Sequence, residues 1–264
     1  MESQIKNLGI EKKKVDNIVC GSFNNKSYFG YSGKVLKSGV CKYYRRKQFD
    51  KFEWCVIEMM LFGIKNKGLL TNIINRIKIL LMEEIICNQI GNLVLCINIL
   101  NDIDNIEPSD LDLVKKIGKM LELCDIVKKL NRGRIVSYIN NWWKYNVEEY
   151  DLNEIEIDKV KKFSLKNDSD EILKLGELFI KFLDNKDERI FDIYTKLYSK
   201  TGVYGTRYRR KDAVYLLFQI IEDKYKSNKD FMIVMEFCKK MFFRKQMVER
   251  KAFGIWMIYM AWKY

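Results

Sequence analysis

The chain has 264 residues, 48% hydrophobic and 31% charged, with a formal net charge of +13. That is the balance of a folded protein with one large core or two smaller ones, and it excludes an intrinsically disordered chain. Histidine is absent, which removes the usual general base near neutral pH, Ser-His and Cys-His nucleophile pairs, and every His-containing metal site.

Along the chain, "MESQIKNLGIEKKK" has no apolar core of the kind a secretory signal needs, and "CGSFNNKSYFGYSGKVLKSG" carries four glycines without a sustained period. Residues 1–40 therefore read as an irregular basic arm. From about Tyr43 the pattern turns helical, with Phe49, Phe52, Cys55, Val56, Met59 and Met60 on one side and Gly63 as a stop. Residues 68–104 read as two apolar helices, the first opened by Thr71 as an N-cap. A further helix runs from a Ser109 cap to Gly133, and "RIVSYINNWWKYN" is a short aromatic helix. Together these make a helical domain over 41–146, followed by an acidic connector over 147–158. A second helical subdomain, 159–264, holds a helical pair at 168–185 and 187–202, a basic loop "KTGVYGTRYRRKD", a helix at 213–225 and two terminal helices. The longest apolar run, eleven residues from Ala252 to Trp262, falls short of the roughly 20 that span a bilayer, so no transmembrane segment is expected. Proline occurs once and no strand alternation stands out. The expectation is an all-α multi-helix bundle or array of roughly nine to eleven helices.

The charge is uneven. Residues 1–52 hold 12 Lys and Arg against 4 Asp and Glu, and residues 200–251 hold 14 against 6, whereas 53–199 hold 21 against 25. Two basic segments flank a mildly acidic middle, a distribution that attracts polyanions. Each segment contains a basic–aromatic cluster sharing the string "YRRK". The first comprises Lys42, Tyr43, Tyr44, Arg45, Arg46 and Lys47, and the second Arg207, Tyr208, Arg209, Arg210 and Lys211. Arginine forks take phosphate oxygens in pairs and tyrosine rings stack on unpaired bases. Both clusters read as lying just before a helix, where cations oppose the helix dipole, so helix stability would not account for them. Arg132 and Arg134 form a smaller third group, and Trp142 and Trp143 read as packing residues.

Catalytic signatures are missing: there is no G-x-x-x-x-G-K-[ST], no G-x-G-x-x-G and no C-x-x-C. The carboxylate pairs Glu83–Glu84, Glu148–Glu149 and Asp168–Asp170 could serve a metal-dependent nuclease, but acidic pairs are common on helix faces. No cofactor and no metal are expected. The seven cysteines read as reduced, buried small hydrophobes of a cytoplasmic or nuclear protein.

The stretches "YYRRKQFDKFEWCVIEMMLFG" and "NRIKILLMEEI", with the later "KLNRGRIVSYINNWW", carry a resemblance. In order and kind, Arg45-Arg46, Asp50, Trp54, Met59, Arg76, Glu83-Glu84 and Ile85 resemble the C-terminal helical region of clamp-loader-like AAA+ ATPases. The family is that of the bacterial replication-associated recombination protein A, whose eukaryotic relatives interact with the Werner helicase. The resemblance covers roughly residues 38–145 and departs where Lys51-Phe52 replaces an Ala-Leu pair, where Ile86 stands at a glycine, and in having no ATPase core. It implies a region that oligomerises beside DNA without doing chemistry.

The expectation is a non-enzymatic accessory or scaffold protein of DNA replication, repair or packaging. It binds phosphate backbone through its two basic segments, with DNA ahead of RNA as partner and self-association through apolar helices. The alternative is a helical assembly protein, such as a virion component, whose basic faces meet acidic protein partners.

Overall fold

The computed structural model describes residues 26–62 apart from 28, 67–84, 90–105, 110–130, 133, 149–200 apart from 167, 212–244 and 247–264. Ten α-helices and one 3-10 helix account for most of them, and among the described residues there is no strand. The chain divides into two units, Met1–Gly133 and Arg134–Tyr264. The division falls ahead of the acidic stretch, whose described part, 149–158, is without helix or strand.

The first unit contains α1 (Gly33–Arg45), α2 (Phe49–Phe62), α3 (Lys67–Glu84), α4 (Ile90–Asn105) and α5 (Asp110–Lys129). α2 is its centre, packing against α1, α3 and α5. Phe52 and every residue from Cys55 to Phe62 are buried, so this helix is enclosed on nearly all sides. Its neighbours each turn one apolar stripe inward: Ile73, Ile77 and Leu80 from α3, and Met120, Leu123 and Val127 from α5. Lys78 of α3, itself buried, reaches Asp104 of α4 at 2.6 Å.

α1 corrects the expectation of an irregular arm over residues 1–40, because it starts at Gly33. Ser32 caps it, accepting a hydrogen bond from the Val35 amide at 3.3 Å. Leu36, Val40 and Tyr44 then repeat every fourth residue toward the core. Gly39 marks a close approach: a Cβ there would lie 2.8 Å from Cys55 Sγ of α2. Thr71 likewise sits inside α3, which begins at Lys67, so it is no N-cap. Ser109 and Gly63 lie outside the described residues.

The second unit begins, in its described part, with a 3-10 helix (Lys159–Phe163), followed by α6 (Asp170–Asp184), α7 (Ile190–Ser199), α8 (Val214–Tyr225), α9 (Lys229–Arg244) and α10 (Met247–Lys263). α10 packs on α7 and α9, and α8 on α6, α7, α9 and the 3-10 helix. The apolar run that sequence reading makes a buried terminal helix is one: Phe253, Ile255, Trp256, Met257 and Ile258 are nearly or wholly shielded from solvent. Gly254 lets α7 come close, since a Cβ there would collide with the Tyr194 hydroxyl. That hydroxyl donates to the Lys251 carbonyl at 3.1 Å. No described helix is long and apolar enough to cross a membrane.

Candidate nucleic-acid interface

The first basic cluster lies at the exit of α1. The Lys47 amide donates to the Tyr44 carbonyl and the Gln48 amide to the Tyr43 carbonyl, both at 2.9 Å. Lys47 takes a left-handed φ of 57°. This is a Schellman closure with a lysine where glycine is usual, and α2 starts two residues later at Phe49. The cluster therefore does not sit in front of a helix with nothing ordered before it. It ends one, where cations complement the dipole. Helix stability thus accounts for some positive charge here, contrary to the expectation from sequence.

The predicted contacts separate into three kinds. Tyr44 is only 3% exposed, with its ring 5.6 Å from that of Phe52 and 6.1 Å from that of Phe49. It is a core residue, and that rules out its proposed contact with a base. Arg45 is half exposed, but its Nε donates to Glu84 Oε1 at 2.6 Å, and the Glu84 side chain is 4% exposed. Arg45 is thus the counter-charge of a buried carboxylate on α3. Lys42, Arg46 and Lys47 are exposed, and among the described residues no carboxylate pairs with them. Lys51, one turn into α2, holds its ammonium 5.7 Å from the centre of the Tyr43 ring. Asp50 is also exposed in this turn of α2.

About one turn along α2 from Lys51 stands a ring, Trp54, that meets two others and that sequence reading did not single out as a site. Trp54, which entered only through the family resemblance, is 37% exposed. Its ring centre is 5.3 Å from Tyr31, edge to face, and 5.9 Å from Phe29. The sequence signal was available: Trp54 stands one turn beyond Asp50 and Lys51, on the polar side of α2 rather than its apolar side.

Arg132, Arg134, Arg207, Tyr208, Arg209, Arg210 and Lys211 lie outside the described residues, as do Trp142 and Trp143. In the second unit most described cations with a defined contact meet acids. Lys162 pairs with Asp223 at 2.6 Å, Lys200 with Glu171 at 2.8 Å and Lys239 with Glu222 at 2.6 Å, while Lys224 pairs with Asp184.

Three members of the acidic pairs have defined partners of their own. Glu84 is held by Arg45, Asp170 pairs with Lys174 at 2.8 Å, and Asp168 accepts from the Leu165 amide at 2.7 Å. Among the described residues no group of three or more Cys, Asp and Glu is placed to hold a metal. Cys41, Cys55, Cys96, Cys124 and Cys238 are buried. Burial, with the Glu58 charge second, pushes the Cys55 thiol up to about 11, and burial pushes Cys96 up to about 12. Such thiols pack as small hydrophobes and are poor nucleophiles.

No family model, curated protein or solved structure matches the chain.

Proposed function

We propose that this is a non-enzymatic nucleic-acid-binding protein, an accessory or scaffold of DNA replication, repair or packaging, that grips phosphate backbone at the α1–α2 turn. The observation that carries the reading is the set Lys42, Arg46 and Lys47: three exposed cations in six residues, none neutralised by a described carboxylate. Arg45, by contrast, is answered by Glu84. Charges left unanswered on one turn create a local positive field suited to a polyanion. The resemblance to the clamp-loader-like C-terminal region belongs to the same proposal. Two of the residues that carry it, Arg45 and Glu84, meet as an ion pair. In this proposal the second basic segment adds phosphate contacts, DNA is the partner ahead of RNA, and the chain self-associates.

The test is a binding titration over a range of salt, comparing wild type with the triple variant Lys42→Ala/Arg46→Ala/Lys47→Asn. Asparagine is chosen at position 47 because it tolerates the left-handed backbone there. Arg45 is left intact so that the fold is not confounded with the contact. Salt-sensitive binding that weakens in the variant supports the proposal. A wild type that binds no nucleic acid, yet loses a protein partner when these cations are removed, would establish the assembly reading instead.

A further inference from the structure

A nucleotide joins an anionic phosphate to a flat ring whose faces are apolar, so a surface that takes single strands needs cations and exposed rings side by side. The first unit has both within one stretch. Phe29 is 49% exposed, Tyr31 47% and Trp54 37%, and the three rings touch through Trp54. Val35, also exposed, is close by in sequence, and among the described residues the only other exposed large apolar side chain of this unit is Leu95. Lys51 lies three residues before Trp54 and so shares its side of α2. Lys47 precedes α2 by two residues, and Lys26 and Lys34, both exposed, flank the ring-bearing turn in sequence.

The rings are held in place before any ligand arrives. Trp54 stands on α2, whose following turns are core. The turn opposite is closed by hydrogen bonds from the Ser27 amide to the Tyr31 carbonyl at 2.7 Å and from the Gly30 amide to the Ser27 carbonyl at 2.9 Å. Gly30 supplies the positive φ of 85° that this reversal requires. The Tyr31 amide donates to the Ser27 hydroxyl at 3.1 Å, and the Phe29 amide to Glu58 Oε1 at 2.7 Å. Glu58 is 2% exposed, so the turn is pinned to a buried carboxylate of α2 one turn beyond Trp54. Rings fixed in this way lose little freedom on binding.

We infer that Phe29, Tyr31 and Trp54 form a platform on which unpaired nucleobases stack, so that the α1–α2 turn takes single strands in preference to duplex. This rests on the turn being a phosphate-binding site. A duplex offers the same phosphates but keeps its base faces inside its own stack, so it engages the cations alone. A protein partner would fit the rings, but the cations without carboxylate partners beside them favour a ligand that is anionic along its whole length.

The test is fluorescence anisotropy with a short labelled oligothymidine and a duplex of the same length. Wild type is compared with Trp54→Ala, Trp54→Phe, Tyr31→Ala and the triple cation variant, each checked for its melting temperature. Stacking is worth about 1–3 kcal/mol per base. Trp54→Ala is therefore expected to weaken single-strand binding roughly 5- to 150-fold while changing duplex binding less than about twofold. Trp54→Phe, which keeps a ring, recovers most of the loss. If the cation variant weakens binding but Trp54→Ala and Tyr31→Ala leave the preference for single strands unchanged, the platform is wrong and the phosphate site stands. If wild type binds neither ligand, both fall. If Trp54→Ala breaks up a self-associated species and leaves oligothymidine binding intact, the rings are a protein interface and the inference is overturned.

Discussion

The exits of α1 and α6 are built on the same backbone. In each, a lysine takes the left-handed conformation, Lys47 with φ 57° and Lys186 with φ 53°. In each, the next amide reaches back to close the helix: Gln48 to Tyr43 at 2.9 Å, and Asp187 to Phe182 at 2.8 Å. Their side chains differ. From Lys42 to Asp50 there are four cations and one acid, whereas Lys181–Arg189 holds three cations and three acids. Around α6, Asp187 accepts from Arg189 Nε at 2.9 Å, the Arg189 guanidinium lies 4.4 Å from the centre of the Phe182 ring, and the Lys186 carbonyl accepts from the Trp262 indole at 2.7 Å. Burial and the nearby Lys224 hold the Lys186 ammonium below its ordinary range. Around α1, only Arg45 has an acidic partner among the described residues. The same exit backbone thus forms with a balanced set of charges at α6, and the surplus at α1 beyond what the helix dipole favours calls for another explanation.

The comparison can be broken most directly by binding. At low salt, Lys42→Ala/Arg46→Ala/Lys47→Asn is expected to weaken single-strand affinity roughly 10- to 100-fold, and each phosphate no longer neutralised also lowers the salt slope by about 0.7. Lys181→Ala/Lys186→Asn, the matching change at α6, is expected to shift the same affinity less than about twofold. Similar losses at both exits would mean that net charge, and not the α1 turn, does the binding.

Arg45→Ala separates the structural arginine from its neighbours. It leaves the Glu84 carboxylate, buried on α3, without its guanidinium, which costs about 1–3 kcal/mol in urea unfolding. Half of Arg45 faces water, which places the loss toward the lower end. Glu84→Gln in the same chain recovers part of it. Trp262→Phe removes the indole donor from the Lys186 carbonyl and is expected to cost about 1 kcal/mol, with nucleic-acid binding unchanged.

Smaller still, Lys47→Gly and Lys186→Gly each relieve a left-handed non-glycine residue and are expected to raise stability by about 0.5–1 kcal/mol. The two substitutions match in stability and differ in binding, which only Lys47→Gly weakens. The last effect is pH-dependent. Arg189's hydrogen bond holds the Asp187 carboxyl below the ordinary carboxylate range. A depressed folded pKa contributes stability that is present above the unfolded value of about 3.9 and is lost as pH falls through the folded one. The difference in melting temperature between wild type and Asp187→Asn should therefore hold near neutrality and shrink as pH drops below about 4. A difference that stays constant down to low pH would show that Asp187 does not act through its charge.

Much of the fold was legible because its helices follow one rule. Ile73, Ile77 and Leu80 of α3, and the long apolar run of α10, bury what their spacing says they bury. α1 was not legible because Gly33, Ser38 and Gly39 look like loop formers. Gly39 is instead a packing glycine, there because Cys55 Sγ leaves no room for a Cβ, and a contact between helices leaves no local signal. Missing α1 reversed the sense of the basic cluster and turned Tyr44 outward. Its four-residue spacing from Val40 and Leu36 would have placed it in the core. The tie between Arg45 and Glu84 spans 39 positions, and composition says only that a cation is present, not what answers it. Phe29 and Tyr31 were hidden in the same way, inside a glycine-rich stretch whose closure depends on Glu58 of a distant helix turn.

The most direct test of the central claim is the slope of the logarithm of single-strand affinity against the logarithm of salt concentration. It should be measured for wild type and for Lys42→Ala/Arg46→Ala/Lys47→Asn. If the exposed cations of the α1–α2 turn hold phosphates, the variant's slope is shallower by about 2, at roughly 0.7 for each phosphate that is no longer neutralised. Equal slopes would contradict the account, because three cations that release no counterions on binding are not touching the strand.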